Sequence, residues 1–429
     1  MNQTKRRNVS LVEGEYTMKK MRLLVWVMLF LFVSACSPST DAAKESKAIL
    51  KKDWREIEET TNKTVRMYMW GGDTGINRYM DDWVAPRLKK EYNITLKRIP
   101  MDAPEFLKKL SNEKRAEKDE GNMDIIWING ENFKNAKDNG LLFGPFVDKM
   151  PNYKKYVDAK SLDIQYDFGT KTEGLEAPWG KVQFVYQYDE EKVPNPPQSF
   201  KELAQWVKEN PGKFTYPDPA DFTGNAFVRQ LFYESSGNVK NILDNGYDED
   251  FAQKNSVKMW DYLNEIKPYL WREGKTYPNN LTELDRLYSK GEVYMTMGYN
   301  EARAEKLMKQ SVFPATTRSF VMKSGSLGNA HFLAIPFNSP NKEGAMTAIN
   351  FMLSPEAQLT KLDSEFWGEN MSLDPARLSS ADQKKLQTIK RGESVLPAET
   401  LKKYLQPEID SEYVAWLKEN WVNEVVQNK

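Results

Sequence analysis

The strongest constraint in this sequence is a repeated change of hydrophobic period between residues 64 and 142. "TVRMYMWGG" (64–72) alternates and then breaks at two glycines, which reads as a strand followed by a tight turn. "INRYMDDWVAPRLKKEY" (76–92) places Ile76, Tyr79, Met80, Trp83 and Val84 at helical spacing. "ITLKRIP" is a second strand and "PEFLKKLSNEKRAEKD" a charged helix. "MDIIWING" (123–130) is continuously apolar, as in a strand buried on both faces of a parallel sheet, and "ENFKNAKDNGLL" starts another helix. Strand and helix in alternation build an α/β lobe with a parallel sheet.

The pattern changes after residue 174. Pro178, Pro194, Pro196 and Pro197 punctuate strands, and Ser199 is a good N-cap for the helix that follows. A second α/β region runs to about residue 328. "GNAHFLAIPFNSP" is a further strand, "NKEGAMTAINFMLSPEAQLTKLD" a helix, and the remainder is mostly helical. A chain of 429 residues exceeds one core and suits two domains or lobes.

Residues 23–33, "LLVWVMLFLFV", form an uncharged apolar run preceded by Lys19, Lys20 and Arg22. Eleven residues are too few to span a hydrocarbon core, which needs about 20, but fit the apolar region of a signal peptide. Ser34, Ala35 and the single cysteine, Cys36, follow. Val-Ser-Ala-Cys resembles the bacterial lipobox, which implies a diacylglycerol on Cys36 and cleavage just before it. The alternative is an ordinary signal peptide with a bystander cysteine. Residues 1–17 are polar, so translation is expected to start at Met18; a long basic region is the other reading. Residues 36–54 are then a lipidated polar tether.

Lys+Arg and Asp+Glu number 61 each, with no basic stripe or tail, so nucleic acid is not expected as a partner. The one histidine, His331, lies in an apolar strand and is read as a buried, satisfied side chain. It leaves no histidine metal cluster. No phosphate-binding loop, dinucleotide fingerprint, nucleophile elbow or zinc-protease motif occurs. Paired carboxylates could serve a glycosidase, but nothing singles out a pair among 61 acids. No cofactor is expected.

Five groups of glycine, aromatic and polar residues lie where strands are expected to end, the usual place for ligands of open α/β sheets. They are Trp70, Gly71, Gly72 and Asp73; Asn129, Glu131 and Asn132 around Gly130; Trp179 between Pro178 and Gly180; Asp221 and Asn225; and Tyr299 and Asn300. Each alone is often only a turn, and Asp73 also reads as a helix cap. Aromatic faces with carboxylates suit a cation or an aromatic heterocycle. Sugars use similar platforms. The scarcity of histidine and the lack of a Tyr-Tyr pair disfavour ferric ion.

At these residues the sequence resembles extracellular solute-binding proteins of ABC importers, in the broad group of the maltodextrin-binding proteins. "YDEEKVPNPPQSFKEL" (188–203), "YSKGEVYMTMGYNEA" (288–302) and "NSPNKEGAMTAINFMLSPEAQLTKL" (338–362) carry the likeness. "GGDTGIN", "IIWINGENF", "EAPWG" and "LSPEAQ" are similar to a subgroup of ABC-transporter binding proteins without an assigned ligand. The resemblance implies a two-lobe periplasmic-binding-protein-like fold with three inter-lobe crossovers, near 179–184, 328–332 and 362–366. The signal peptide is 1–35, the first lobe 55–180 with 331–362, and the second 184–328 with 366–429. It also implies a monomer that is not an enzyme, tethered to the outer face of the cytoplasmic membrane. It would deliver a small-molecule solute to an ABC permease and its ATPase subunit. The alternative from a different class is a membrane-anchored extracellular carbohydrate-active enzyme. An adhesion lipoprotein, which needs no cleft, is a third.

Overall fold

The computed structural model describes residues 41–60, 63–237, 242–243 and 245–427. Cys36 and the segment read as a signal peptide lie outside them. The fold described here is that of the unit Ser46–Lys429. None of its described helices is long and apolar enough to cross a membrane.

Nine of the eleven described strands organise it: β1 Thr64–Met69, β2 Thr95–Pro100, β3 Ile125–Ile128, β4 Glu176–Gln183, β5 Val185–Asp189, β6 Met295–Gly298, β7 Thr317–Phe320, β8 Ser326–Ala334 and β9 Leu405–Pro407. β1 runs parallel to β2 and β3, with Val65 opposite Leu96 and Met67 opposite Ile125. β8 then pairs antiparallel with β3 and with β4. The apolar helical faces read from the sequence cover this sheet: Tyr79, Trp83 and Leu88 join Met67, Met69 and Ile349 in the first core. The helix after β1 passes through a π-helical stretch, Tyr79–Val84, and stops at Asn93, whose left-handed φ of 53° turns the next N–H, that of Ile94, back onto the Leu88 carbonyl at 3.1 Å.

The second lobe holds the antiparallel sheet β6-β5-β7. Its core gathers Tyr186, Tyr216, Phe227 and Trp421. Ser199 caps the helix Phe200–Glu209 by accepting from the Glu202 N–H at 3.2 Å.

Two strands carry the chain between the cores. Trp179 packs in the first core and Phe184, five residues on, in the second. β8 returns with Leu327 in the second core and Leu333 in the first. A register shift between His331 and Phe332 kinks this antiparallel pair at its midpoint. The third passage lies later than residues 362–366. Met371, Leu373 and Leu378 are apolar and stay buried against Tyr156, Leu359 and Leu362; the chain reaches the second lobe at Leu401, buried against Val185 and Val321, and its main core at Ile409. The tether also ends earlier than residue 54, because Ile49 is buried in the first core and Trp54 packs on it.

Candidate functional site

β1 and β3 end on the rim of the first lobe, and β6 ends opposite them on the second. Between them lies a cleft of about 700 Å³ whose walls include Trp70, Asp73, Trp127 and Asn129 from one side and Phe222, Tyr299, Asn300 and Lys306 from the other. Val182, Asn329, His331, Trp367 and Glu369 form its hinge-side wall.

Gly71 and Gly72 make the first rim possible. A Cβ on Gly72 would sit 2.2 Å from the Trp70 ring, and one on Gly71 2.9 Å from Pro100. Asp73 caps the next helix, accepting from the N–H groups of Gly75 at 2.7 Å and Ile76 at 3.0 Å. Its other oxygen accepts from Lys306 of the second lobe at 2.6 Å, an ion pair spanning the cleft. Burial raises the Asp73 carboxyl's pKa, but Lys306 and the cap N–H groups outweigh it, so the group is held below its ordinary value.

Two aromatic side chains from opposite lobes stand open to this cleft: Trp70 and Phe222 are each 48% exposed. The Phe222 ring leans on Tyr299 at 5.0 Å and on Phe168 at 6.0 Å. Beneath the first rim Trp127, Trp179 and Trp367 pack edge to face, with centroids 4.8–5.6 Å apart. Trp179 is fully buried and does not reach the cleft. It stands inside β4, not at a strand end, and its ring is enclosed by the other two tryptophans. His331, expected to be buried, keeps partial exposure in the cleft wall against Trp127, with Nδ1 2.8 Å from Glu369.

Glu131, Asn132, Asp221 and Asn225 line a neighbouring compartment of about 410 Å³, which shares Asn129 and Phe222 with the main cleft. Gly130 turns the chain there with a φ of 61°, and its N–H donates to the buried Asp167 at 2.7 Å. Burial pushes the Asp167 carboxyl well up. Asp221 is engaged as the cap of the helix Phe222–Ser236. Asn225 is buried and already bonded, donating to Pro219 and Val414 and accepting from Arg229. Tyr299 turns its ring to the cleft and its hydroxyl inward, onto Glu408 and Arg229.

The structure therefore brings Trp70, Asp73, Asn129, Tyr299 and Asn300 to one cleft, sets Glu131, Asn132 and Asp221 beside it, and withdraws Trp179. Phe222, Asn329, Trp367 and Lys306 were not singled out from the sequence. Phe222 directly follows Asp221, Asn329 sits within the strand "GNAHFLAIPFNSP", and nothing local marked Trp367 or Lys306. Among the described residues no three His, Cys, Asp or Glu side chains gather as a metal site.

A family model described as bacterial extracellular solute-binding protein matches residues 83–390. Protein YnjB of Escherichia coli (strain K12) is 38% identical over 346 residues, covering 80% of this chain and 88% of that protein. Among solved structures, an ABC transporter protein from Clostridium perfringens ATCC 13124 shares the fold at a TM-score of 0.60 and 18% identity, over 84% of this chain and 98% of that one. The spermidine/putrescine ABC transporter substrate-binding protein PotD from Streptococcus pneumoniae shares it at 0.62 and 15% identity, over 86% of this chain and 100% of that one.

Proposed function

The chain belongs to the bacterial extracellular solute-binding proteins, and from that premise we propose that it closes its two lobes on a small organic solute and hands it to an ABC permease driven by its ATPase subunit. The observation that carries this reading is the pair Trp70 and Phe222. Large aromatic rings left open to water on facing walls of one cleft are what a ligand clamp needs. Hydrolysis is the weaker reading. The two carboxylates in the cleft wall, Asp73 and Glu369, are both held in ion pairs within the protein, to Lys306 and Lys361, so neither is poised as acid or nucleophile.

Covering Trp70 with solute removes apolar surface from water. Trp70→Ala or Phe222→Ala should weaken solute binding by about 1.5–3 kcal/mol, roughly 10- to 150-fold, with little change in the melting of the empty protein. Calorimetry on protein charged with a solute recovered from cells reads the first effect. Small-angle scattering should show a smaller radius of gyration with solute than without. Unchanged affinity in both variants, or an unchanged radius at saturation, would count against a clamp.

The protein works as a monomer held to the outer face of the cytoplasmic membrane through a lipid on Cys36, which follows an apolar run and two small residues. Cys36→Ser should move the protein from the detergent phase to the aqueous phase. A variant that still partitions into detergent would remove the lipid anchor while leaving solute binding intact.

A further inference from the structure

Resting on the solute-binding reading, we infer that the solute is an uncharged, planar heteroaromatic molecule and that Asn329 reads its hydrogen-bonding edge.

The first observation is the state of charge in the main cleft. Asp73 is paired with Lys306, Arg303 with Asp285, and Glu369 with Lys361. A polyamine or other multiply charged cation would enter a wall with no uncommitted carboxylate and would shed hydration without a partner. Of the carboxylates that the sequence suggested for a cation, Asp73 is engaged with Lys306 and its helix cap, Asp221 serves as a cap, and Glu131 stands outside the main cleft, in the neighbouring compartment.

The second observation is shape and polarity. Trp70 and Phe222 offer ring faces from opposite lobes, and Trp127, Trp367 and Tyr299 continue the aromatic lining. A flat ring system fills such a slot with offset or edge contacts on both sides.

The third is Asn329. It lies on β8, the hinge strand, next to the register shift at His331 and opposite Val182 of the other hinge strand. It lines the cleft and is only 7% exposed, and its Oδ1 is buried with no hydrogen-bond partner among the described residues. An unpartnered buried amide oxygen is destabilising unless something else supplies the donor. A primary amide offers an acceptor and a donor side by side, which matches an exocyclic amino group next to a ring nitrogen. Because Asn329 sits on a strand that passes between the lobes, filling its acceptor places the bound ring at the hinge.

The test uses adenine, cytosine and nicotinamide as uncharged probes, purine as the ring lacking the amino group, and spermidine as the polycation. Calorimetry on the full chain should show adenine, or the best of the three, binding about 5- to 150-fold more tightly than its analogue without the amino or amide group. Spermidine should bind more weakly than any of them. Asn329→Leu should shrink the amino-dependent ratio to within about twofold, because the acceptor that creates it is gone. The empty variant should melt no lower than the parent, since it loses an orphaned polar group and no bond; a residue with a purely structural role would lower it. Tighter binding of spermidine, silence of all three neutral probes, or an amino-dependent ratio that survives Asn329→Leu would each overturn the inference. Compaction in scattering with some other solute would then leave the solute-binding reading standing while its chemical class changes.

Discussion

Arg229→Met should destabilise the protein by about 3–5 kcal/mol, because it strands a carboxylate in the interior. Arg229 lies in the helix Phe222–Ser236, and its side chain is wholly buried. Its Nε donates to one oxygen of Glu408 at 2.9 Å and its Nη2 to the other at 3.2 Å. The remaining donors reach Asn225 at 2.7 Å and the Tyr299 hydroxyl at 3.0 Å. Burial alone would make the guanidinium easier to deprotonate, but Glu408 and Tyr299 more than offset this and raise its pKa. Methionine restores much of the volume and none of the five donors. Among the described residues Glu408 is then left with the Tyr299 hydroxyl alone. Urea unfolding reads the effect, and the double variant Arg229→Met, Glu408→Leu should recover most of it, since an apolar pair of similar size carries no desolvation penalty. A loss under about 1 kcal/mol would mean that water reaches Glu408 and that the pair is not sealed. The network bears on function because it fixes Tyr299 from below while the ring faces the cleft, and because the guanidinium lies 5.3 Å from the Phe222 ring.

The strand-end groups around Trp70, Asn129 and Tyr299 were legible because each follows a short apolar run and a glycine or turn residue marks where the sheet stops. β1, β3 and β6 do end there, and all three groups reach the cleft. The group around Trp179 was misplaced for a physical reason. Almost every residue of β4 is buried, so hydrophobicity does not reveal which face a side chain takes or where the strand stops. Asp221 was read at a strand end and instead begins a helix, a role its side chain performs with the N–H groups of Thr223 and Gly224. Asn329 was missed and His331 was read as buried because β8 is buried almost throughout, so hydrophobicity does not mark which of its side chains look onto the cleft. Partners such as Lys306 for Asp73, 233 residues apart, depend on how the lobes meet and leave no local trace. The alternation of periods thus carried the architecture, while the chemistry of the cleft depended on long-range pairing.

The hinge side of the cleft rests on a second buried ion pair, and Lys361→Met should cost about 3–5 kcal/mol there. Lys361 is fully buried in the helix Pro355–Leu362, with Nζ 3.1 Å from Glu369, 2.8 Å from the Asn370 carbonyl oxygen and 5.0 Å from the centre of the Trp367 ring. There is no room for the pair to relax toward β4, because a Cβ on Gly180 would already lie 2.3 Å from Glu369 and 2.6 Å from the ammonium. Burial raises the Glu369 carboxyl's pKa, yet His331 and Lys361 outweigh it and hold the group below its ordinary value. Without Lys361 only His331 opposes burial, and the folded protein should bind a proton on Glu369 more readily than the unfolded chain does. A pKa raised by folding contributes stability at low pH that is lost as pH rises. The variant should therefore lie furthest below the parent near neutral pH and draw closer to it as pH falls through the carboxylate range. The parent carries the opposite sign at Glu369, stability present above the ordinary carboxylate pKa and lost as pH falls through the depressed one. Urea midpoints measured from pH 4 to 8 on both proteins separate the two slopes, and adding Glu369→Leu to Lys361→Met should flatten the difference. Parallel pH curves for parent and variant would show that His331, 2.8 Å from Glu369, suffices as its counter-charge and that the buried ammonium is dispensable at the hinge.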